Sequence, residues 1–142
     1  GVYGYGRESI ASAAVGHRLD NYLLWRQDVQ PDSTSVEPTW IDENALTVRA
    51  MVLAGDQLVV AGPPDIGLKT DGEEILAFEN EPEALAAFRG ERGVFLRVHD
   101  AASGELNCEL ELPAIPVFDG ISAAGGRVFV ALRDGSLVCL GE

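Results

Sequence analysis

The feature of this sequence that most constrains its fold is an internal repeat. Residues 48–62 read VRAMVLAGDQLVVAG and residues 118–132 read FDGISAAGGRVFVAL, so that Gly55 aligns with Gly125. Each copy is an apolar run, a glycine-containing turn and a second run in which apolar residues alternate. Because glycine accepts the positive φ of a tight turn and alternation is the period of a strand, each copy predicts a β-hairpin.

Further strand-like segments follow each hairpin. After the first, we predict a strand over residues 94–99 and a turn at residues 100–104. Residues 105–112 then alternate, with leucines and a cysteine on one face and glutamates and an asparagine on the other. After the second hairpin, a turn at residues 134–135 leads into a strand over residues 136–140.

Upstream, residues 2–6 resemble the second strand of another copy, and residues 21–26 and 39–41 would supply its third and fourth strands. A four-stranded antiparallel unit that recurs along a chain is a propeller blade. We therefore predict an all-β fold, a partial β-propeller of about two and a half four-stranded antiparallel blades. The predicted modules cover residues 1–46, 47–112 and 113–142.

Two insertions interrupt this pattern, at about residues 7–19 and 63–92. In the second insertion, Asn80 precedes Pro82 and Glu83, which is the pattern of a capped helix N-terminus. We expect a short helix there, with Leu85 and Phe88 packed against the strands.

The charge balance excludes two classes of partner. Lys plus Arg is 10 and Asp plus Glu is 23 among the 142 residues, a net charge of −13. A nucleic-acid-binding protein needs a basic face, and an anionic membrane surface repels an acidic protein. No apolar run approaches the roughly 18 residues of a membrane helix. We therefore expect neither nucleic-acid binding nor membrane insertion.

The end of the second copy resembles a known family. Residues 126–140, GRVFVALRDGSLVCL, look like the repeat of pyrroloquinoline-quinone-like (PQQ-like) β-propellers, which runs Gly-x-Val-Tyr-Val, then Asp-Gly, then Leu-x-Ala-Leu. Residues 98–108, VHDAASGELNC, are similar to the next segment of that repeat, an Asp-x-x-Thr-Gly turn leading to a Trp. Cys108 stands at the position of that Trp, so this blade departs from the family's Trp-docking contact.

The resemblance implies that the chain is the C-terminal part of a longer bacterial protein that is periplasmic or secreted. A partial propeller has unpaired strands at its edges, which the remaining blades of the parent chain or another chain must cover. PQQ-like propellers serve both as enzymes and as scaffolds, so the resemblance predicts the fold more narrowly than the function.

Three candidate functions are consistent with the predicted fold and the resemblance. The first is a non-catalytic binding or scaffold module, whose ligand is a protein or a small molecule. The alternative is the C-terminal part of a quinone-dependent oxidoreductase, for which the resemblance implies PQQ with calcium. Calcium needs roughly six to eight oxygen ligands, and the sequence contains no Asp-x-Asp-x-Asp loop. A WD-repeat-type scaffold is the third, against which the missing Trp-Asp and Gly-His pairs count.

The repeat also points to two candidate binding residues. Arg49 and Asp119 occupy equivalent positions at the start of the first strand in successive modules. First strands line the central channel of a propeller, and channel mouths are common binding places. The two residues predict a ligand site at the channel rim, an ion pair between neighbouring blades, or solvated charges. We expect no catalytic residue, metal site or cofactor in this part of the chain.

The cysteines and tryptophans favour structural roles. Cys108 and Cys139 lack metal-ligand spacing and predict two small buried side chains or, in an exported protein, a disulfide. Trp25 and Trp40 lie on strand-like segments, which favours packing in the core or between blades.

Overall fold

The computed structural model describes residues 1–7, 22–28, 37–66 and 80–141. Strands and one short helix make up its regular structure, which confirms the prediction of an all-β fold. Nearly all of the predicted insertion at 7–19, and the middle of the one at 63–92, lie outside the described residues. The elements are β1 (Val2–Arg7), β2 (Tyr22–Gln27), β3 (Trp40–Asp42), β4 (Ala50–Ala54), β5 (Gln57–Gly62), α1 (Glu81–Phe88), β6 (Phe95–Asp100), β7 (Leu106–Glu111), β8 (Pro116–Ala124), β9 (Arg127–Leu132) and β10 (Leu137–Leu140).

The strands form three sheets, and each sheet is built from strands that are consecutive in sequence. The first sheet has the order β1-β2-β3, the second β4-β5-β6-β7 and the third β8-β9-β10. Neighbouring strands are antiparallel throughout. The topology is therefore a series of meanders, in which each strand pairs with the strand that precedes or follows it.

Glycine sets the two hairpins that the repeat predicts. Gly55, between β4 and β5, has a φ of +66°, and Gly125 and Gly126, between β8 and β9, have φ values of +57° and +75°. A Cβ on any of the three would meet nothing within 4 Å, so these turns need glycine for its backbone conformation and not for space. The residues that flank each turn pair with each other, as the repeat predicts.

Two apolar clusters join the sheets. The larger lies between the second and third sheets, and its buried members are Val59, Ala61, Val94, Leu96, Leu112, Ile115, Val130 and Leu132. The smaller joins the first sheet to the second through Leu24, Leu58, Val60 and Ala101. Because successive residues of a strand point to opposite faces, β5 contributes to both clusters and the second sheet is covered on both sides.

The helix α1 has the capped N-terminus that the sequence predicts. The side-chain oxygen of Asn80 accepts a hydrogen bond from the Glu83 backbone N–H (3.2 Å). The Glu83 carboxylate in turn forms two hydrogen bonds with the Arg92 guanidinium, each 2.8 Å long. Short-range contacts therefore fix the first turn of the helix and the loop that follows it.

Two packing predictions are wrong. Leu85 and Phe88 are 45% and 50% exposed, and the buried residue of α1 is the smaller Ala87. Cys108 and Cys139 are exposed free thiols, neither buried nor joined in a disulfide. They lie on β7 and β10, which are outer strands of their sheets, and no further described strand covers them.

Candidate functional site

Arg49 and Asp119, the two predicted binding residues, meet through their backbones. Arg49 directly precedes β4, and Asp119 lies within β8. The Asp119 N–H donates a hydrogen bond to the Arg49 carbonyl oxygen (3.0 Å), and the Arg49 N–H donates to the Ala61 carbonyl oxygen (2.8 Å). The backbone of Arg49 is therefore held from two sides, by β5 and by β8.

Asp119 reaches this position through an irregularity in β8. The pairing of β8 with β9 shifts register between Pro116 and Ile121. Asp119 has a φ of +53°, a left-handed backbone conformation that costs a residue with a Cβ about 1 kcal/mol. A Cβ on the following Gly120 would collide with the side chain of Val117. The bulge is thus a tightly packed local structure, and it carries the N–H that reaches Arg49.

The side chains of Arg49 and Asp119 do not pair. The Asp119 side chain is exposed, and no ion pair joins it to Arg49. The Arg49 guanidinium instead lies over the ring of Phe88, with Cζ 4.3 Å from the ring centroid. A cation–π contact of this kind contributes about 0.5 to 2 kcal/mol. The predicted ion pair between these two residues is therefore absent, and the ligand role stays a prediction.

Two nitrogens of Arg49, Nε and Nη2, are buried without a hydrogen-bond partner. A guanidinium keeps its charge and all its N–H donors at physiological pH. A buried donor left unpaired costs about 1 to 3 kcal/mol, so the contact with Phe88 offsets only part of the cost. A buried polar group of this kind needs an explanation beyond the packing of the fold.

A cleft of about 340 Å³ opens beside the Phe88 ring. Residues of α1 and of the segment that follows β5 form most of its lining, which Tyr22 of β2 and Thr47 complete. Most of its lining is apolar, and Thr47, Asp65 and Glu81 supply polar groups. Since Phe88 lines the cleft and also covers the guanidinium, one aromatic ring separates the Arg49 charge from the cleft. The apolar side chains that line the cleft are Pro64, Ile66, Ala84, Leu85 and Phe88.

Sequence reasoning found Arg49 but missed Phe88. The alignment of the two repeat copies singles out Arg49, whereas Phe88 lies in an insertion that has no counterpart in the other copy. No sequence pattern links two residues so far apart in the chain. Only the tertiary structure reveals that they form one site.

Trp40 joins the first sheet to the second. Its Nε1 donates to the Ala101 carbonyl oxygen (3.2 Å), which also accepts hydrogen bonds from the Tyr3 hydroxyl (3.1 Å) and from Arg26 Nη1 (3.3 Å). A Cβ on Gly104 would lie 2.7 Å from atoms of the Trp40 ring. The indole therefore packs directly on the turn that follows β6, as expected for a tryptophan between sheets.

The sequence-based expectation of no catalytic residue or metal site covers the two histidines, His17 and His99. His17 lies outside the described residues. His99 is 1% exposed, its Nδ1 lies 3.0 Å from the Gly104 carbonyl oxygen, and its Nε2 is buried without a partner. Within residues 1–7, 22–28, 37–66 and 80–141, no three His, Cys, Asp or Glu side chains are grouped as a metal site. In the same part of the chain, no helix is long and apolar enough to cross a membrane.

Neither a protein-family model, nor a curated protein, nor a solved structure matches this chain. Its function must therefore be argued from the arrangement of its own residues.

Proposed function

We propose that this chain is a non-catalytic binding module of an exported bacterial PQQ-like β-propeller protein, and that it binds an anionic ligand at Arg49. The observation that carries the binding role is the burial of Arg49 Nε and Nη2 without a partner. The arrangement of the sheets and the internal repeat support the propeller part of this proposal. The bacterial origin and the export rest on the resemblance alone.

The order of the sheets supports a propeller. Blades of a propeller are antiparallel sheets set around a central channel, and their strands follow one another along the chain. The first strands of the second and third sheets, β4 and β8, lie in contact here. The hydrogen bond from Asp119 to Arg49 (3.0 Å) links these two strands at one end. Two neighbouring blades would bring their innermost strands together in the same way.

Trp40 supports the resemblance to the PQQ-like family. The turn on which it packs, Asp100-x-x-Ser103-Gly104, is the segment similar to the family's Asp-x-x-Thr-Gly turn. A tryptophan docked on such a turn is a feature of the family. Cys108 departs from the family pattern within the second sheet. Trp40 of the first sheet instead makes the contact with this turn, between the first and second sheets.

The chemistry of the site favours a carboxylate with an apolar body. A guanidinium presents parallel N–H donors that match the two oxygens of a carboxylate or phosphate. The adjacent cleft is mostly apolar and suits a hydrocarbon group. The carboxylates of Asp65 and Glu81 line the same cleft and would repel a ligand of high negative charge. A single carboxylate is therefore favoured over a polyphosphate.

The chemistry of the Arg49 guanidinium favours ligand binding over proton transfer. An arginine is not deprotonated in proteins, so Arg49 cannot act as a general acid or base near neutral pH. It can hold a negative charge in place and exclude neutral ligands of the same shape. This behaviour is that of a recognition site.

Calorimetric titration with hexanoate, a carboxylate with a short apolar body, tests the proposal. We expect saturable binding to the wild type and a loss of about tenfold or more in affinity for Arg49→Gln, because the substitution removes the charge-assisted hydrogen bonds. The matched neutral probe, hexanamide, should bind the wild type more weakly than hexanoate.

The control variant is Arg127→Gln, which makes the same change of charge at an exposed residue on the β8–β9 hairpin. Its affinity for hexanoate should equal that of the wild type. Equal affinities for the wild type and Arg49→Gln would contradict the proposal, and so would equal losses in the two variants. Absence of saturable hexanoate binding to the wild type would also count against it.

A further inference from the structure

A second cleft, with a volume of about 480 Å³, opens where three segments of the chain meet. The first is the end of α1 with the loop that follows it, the second is the connection between β7 and β8, and the third is the turn between β9 and β10. None of its lining residues also lines the cleft beside Phe88. This cleft therefore lies outside the site proposed above.

The backbone around the second cleft is held at Ile115, which is buried. The Arg133 N–H donates a hydrogen bond to the Ile115 carbonyl oxygen (2.8 Å). A Cβ on Gly90 would lie 2.8 Å from Cγ1 of Ile115, so the main chain that follows α1 packs directly on this side chain. Arg89 and Arg133 are distant in sequence, yet the backbone at or next to each of them contacts the same buried residue.

Two arginine side chains line this cleft without a counter-charge. Arg89 and Arg133 are exposed, and within the described residues neither has a carboxylate partner. Other arginines differ in this respect, and those that form ion pairs with carboxylates are Arg26, Arg92 and Arg97. The chain has 23 acidic and 10 basic residues, so two unpaired arginines at one cleft make a positive region on an acidic protein.

The carboxylate in the lining of the cleft does not cancel this charge. Asp134 lines the cleft, but its Oδ1 accepts hydrogen bonds from the Ser136 hydroxyl (2.7 Å) and the Ser136 N–H (2.9 Å). One carboxylate that is held by its own turn faces two guanidinium groups, so the lining keeps an excess of positive charge.

Apart from Gly90 and these charged residues, the lining of the cleft is apolar. Its apolar residues are Val94, Pro113, Ala114 and Ile115. Val94 and Ile115 are buried, whereas Pro113 is exposed, so the apolar surface extends from the core of the protein to the edge of the cleft. The cleft therefore offers both an apolar contact and two donors for anionic groups.

We propose that this cleft binds an acidic segment of a partner polypeptide, in which an apolar residue is flanked by two carboxylates. The apolar side chain would cover Pro113 and Ala114, and the carboxylates would pair with Arg89 and Arg133, because a guanidinium matches the two oxygens of a carboxylate. The acidic remainder of the surface repels such a segment, which favours this cleft over other places on the protein. The inference does not depend on ligand binding at Arg49.

The exposure of the lining favours a polypeptide over a small dicarboxylate. Both arginines and Pro113 are exposed, so an occupant of the cleft lies partly in solvent. A site for a small ligand buries most of the ligand surface, whereas a protein interface has a solvent-accessible polar rim around its apolar centre. The arginines of this cleft fit the second description.

NMR titration of the ¹⁵N-labelled protein at neutral pH tests the proposal. The probe is the peptide Ser-Gly-Glu-Leu-Glu-Gly-Ser, acetylated and amidated at its ends, and the matched neutral peptide carries Gln in place of both Glu residues. We expect saturable shifts of the Gly90 and Ile115 backbone amides with the acidic peptide. Its affinity should fall about fivefold or more in the Arg89→Gln, Arg133→Gln double variant, and the neutral peptide should bind the wild type more weakly by a similar factor.

Two single variants serve as controls. Arg127→Gln makes the same change of charge at an exposed arginine that does not line this cleft, and its affinity for the acidic peptide should equal that of the wild type. Arg49→Gln should also bind this peptide as the wild type does, which separates the two proposals.

Four outcomes would overturn the inference. They are the absence of saturable shifts with the acidic peptide, an equal loss of affinity in Arg127→Gln and the double variant, and equal affinities for the acidic and neutral peptides. The fourth concerns other occupants. If glutarate bound as tightly as the acidic peptide, or if dilution of the protein alone shifted the same amides, a small ligand or a second copy of the chain would be the occupant.

Discussion

At the scale of single residues, the buried N–H donors of Arg49 have a desolvation cost that contacts with neighbouring residues do not offset. Its Nε and Nη2 are buried and unpaired, and its guanidinium lies over the Phe88 ring, with Cζ 4.3 Å from the ring centroid. A ligand carboxylate would supply the missing acceptors without any change in the backbone, which β5 and β8 already hold. The backbone of the site is therefore organised before the ligand arrives, and the side chain that has to move to admit a carboxylate is the Phe88 ring over the guanidinium.

Replacement of Arg49 should stabilise the free protein. We expect Arg49→Met to raise the free energy of unfolding by about 1 kcal/mol, because the substitution removes the unpaired buried donors and keeps an apolar contact with Phe88. Urea denaturation at neutral pH measures this change.

Arg97→Met is the matched control. The Arg97 guanidinium is paired, since it donates to Glu109 (2.7 Å) and to Asn44 (2.9 Å). Its loss leaves the buried Asn44 with one partner fewer and should destabilise the protein by about 1 to 3 kcal/mol. If the two variants lost stability equally, Arg49 would have a structural role and the interpretation of its unpaired nitrogens would fail.

At the scale of elements, two turns have the same hydrogen-bonding pattern, in which an aspartate carboxylate accepts from a serine. The Asp100 carboxylate accepts hydrogen bonds from the N–H (2.7 Å) and the hydroxyl (2.9 Å) of Ser103. The Asp134 carboxylate likewise accepts from the hydroxyl (2.7 Å) and the N–H (2.9 Å) of Ser136. These hydrogen bonds stabilise the charged form and hold the pKa of both carboxyls below the usual value.

The lowered pKa values predict a loss of stability in acid. The stabilisation is complete above the unfolded pKa of about 4 and is lost as pH falls through the lower pKa of the folded state. We expect the free energy of unfolding of the wild type to fall more steeply, as pH decreases below about 4, than that of the Asp100→Asn, Asp134→Asn double variant. Urea denaturation across this range measures both slopes, and identical slopes would refute the assignment.

The elements themselves could be predicted because each depends on neighbours in sequence. Gly55 and Gly125 mark hairpins because their positive φ excludes most other residues, and Asn80 marks a helix start because its side chain caps a nearby N–H. The pairing of Ala54 with Gln57 follows from the turn alone. Local chemistry was sufficient for these features.

Other features depend on what a distant segment covers. The alternation in β7 correctly gives Cys108 and Leu110 one face, but whether that face is buried depends on the width of the third sheet. The partner of Arg49 depends in the same way on where α1 places Phe88. A pattern in one strand carries no information about either, so the sequence could not predict the thiol exposure or the cation–π contact.

At the scale of the whole molecule, the first and second sheets meet at a four-residue buried apolar cluster, against which further apolar side chains pack. The Trp40 indole adds a contact with Gly104 at the same junction. Gly104 and Gly135 occupy comparable turns, with φ values of +81° and +88°, but a Cβ on Gly135 would meet nothing within 4 Å. Substitutions at these two glycines therefore distinguish the cost of backbone strain from the cost of disturbed packing at the junction.

We expect Gly135→Ala to cost about 1 kcal/mol through its positive φ alone. Gly104→Ala should cost about 1 to 3 kcal/mol more, because its Cβ would displace the Trp40 ring. Chemical denaturation measures both losses, and the near-ultraviolet circular dichroism of Trp40 should change only in Gly104→Ala. Equal losses in the two variants would mean that the junction does not depend on this contact.

The Ala101 carbonyl has a consequence for how the protein tolerates mutation. Tyr3, Trp40 and Arg26 all donate to this one oxygen, and the oxygen belongs to the main chain. No amino-acid replacement can delete the acceptor, and loss of any one donor leaves two others in place. The hydrogen bonding to this oxygen is thus redundant on the donor side and fixed on the acceptor side, so substitution of one donor leaves two hydrogen bonds between the sheets.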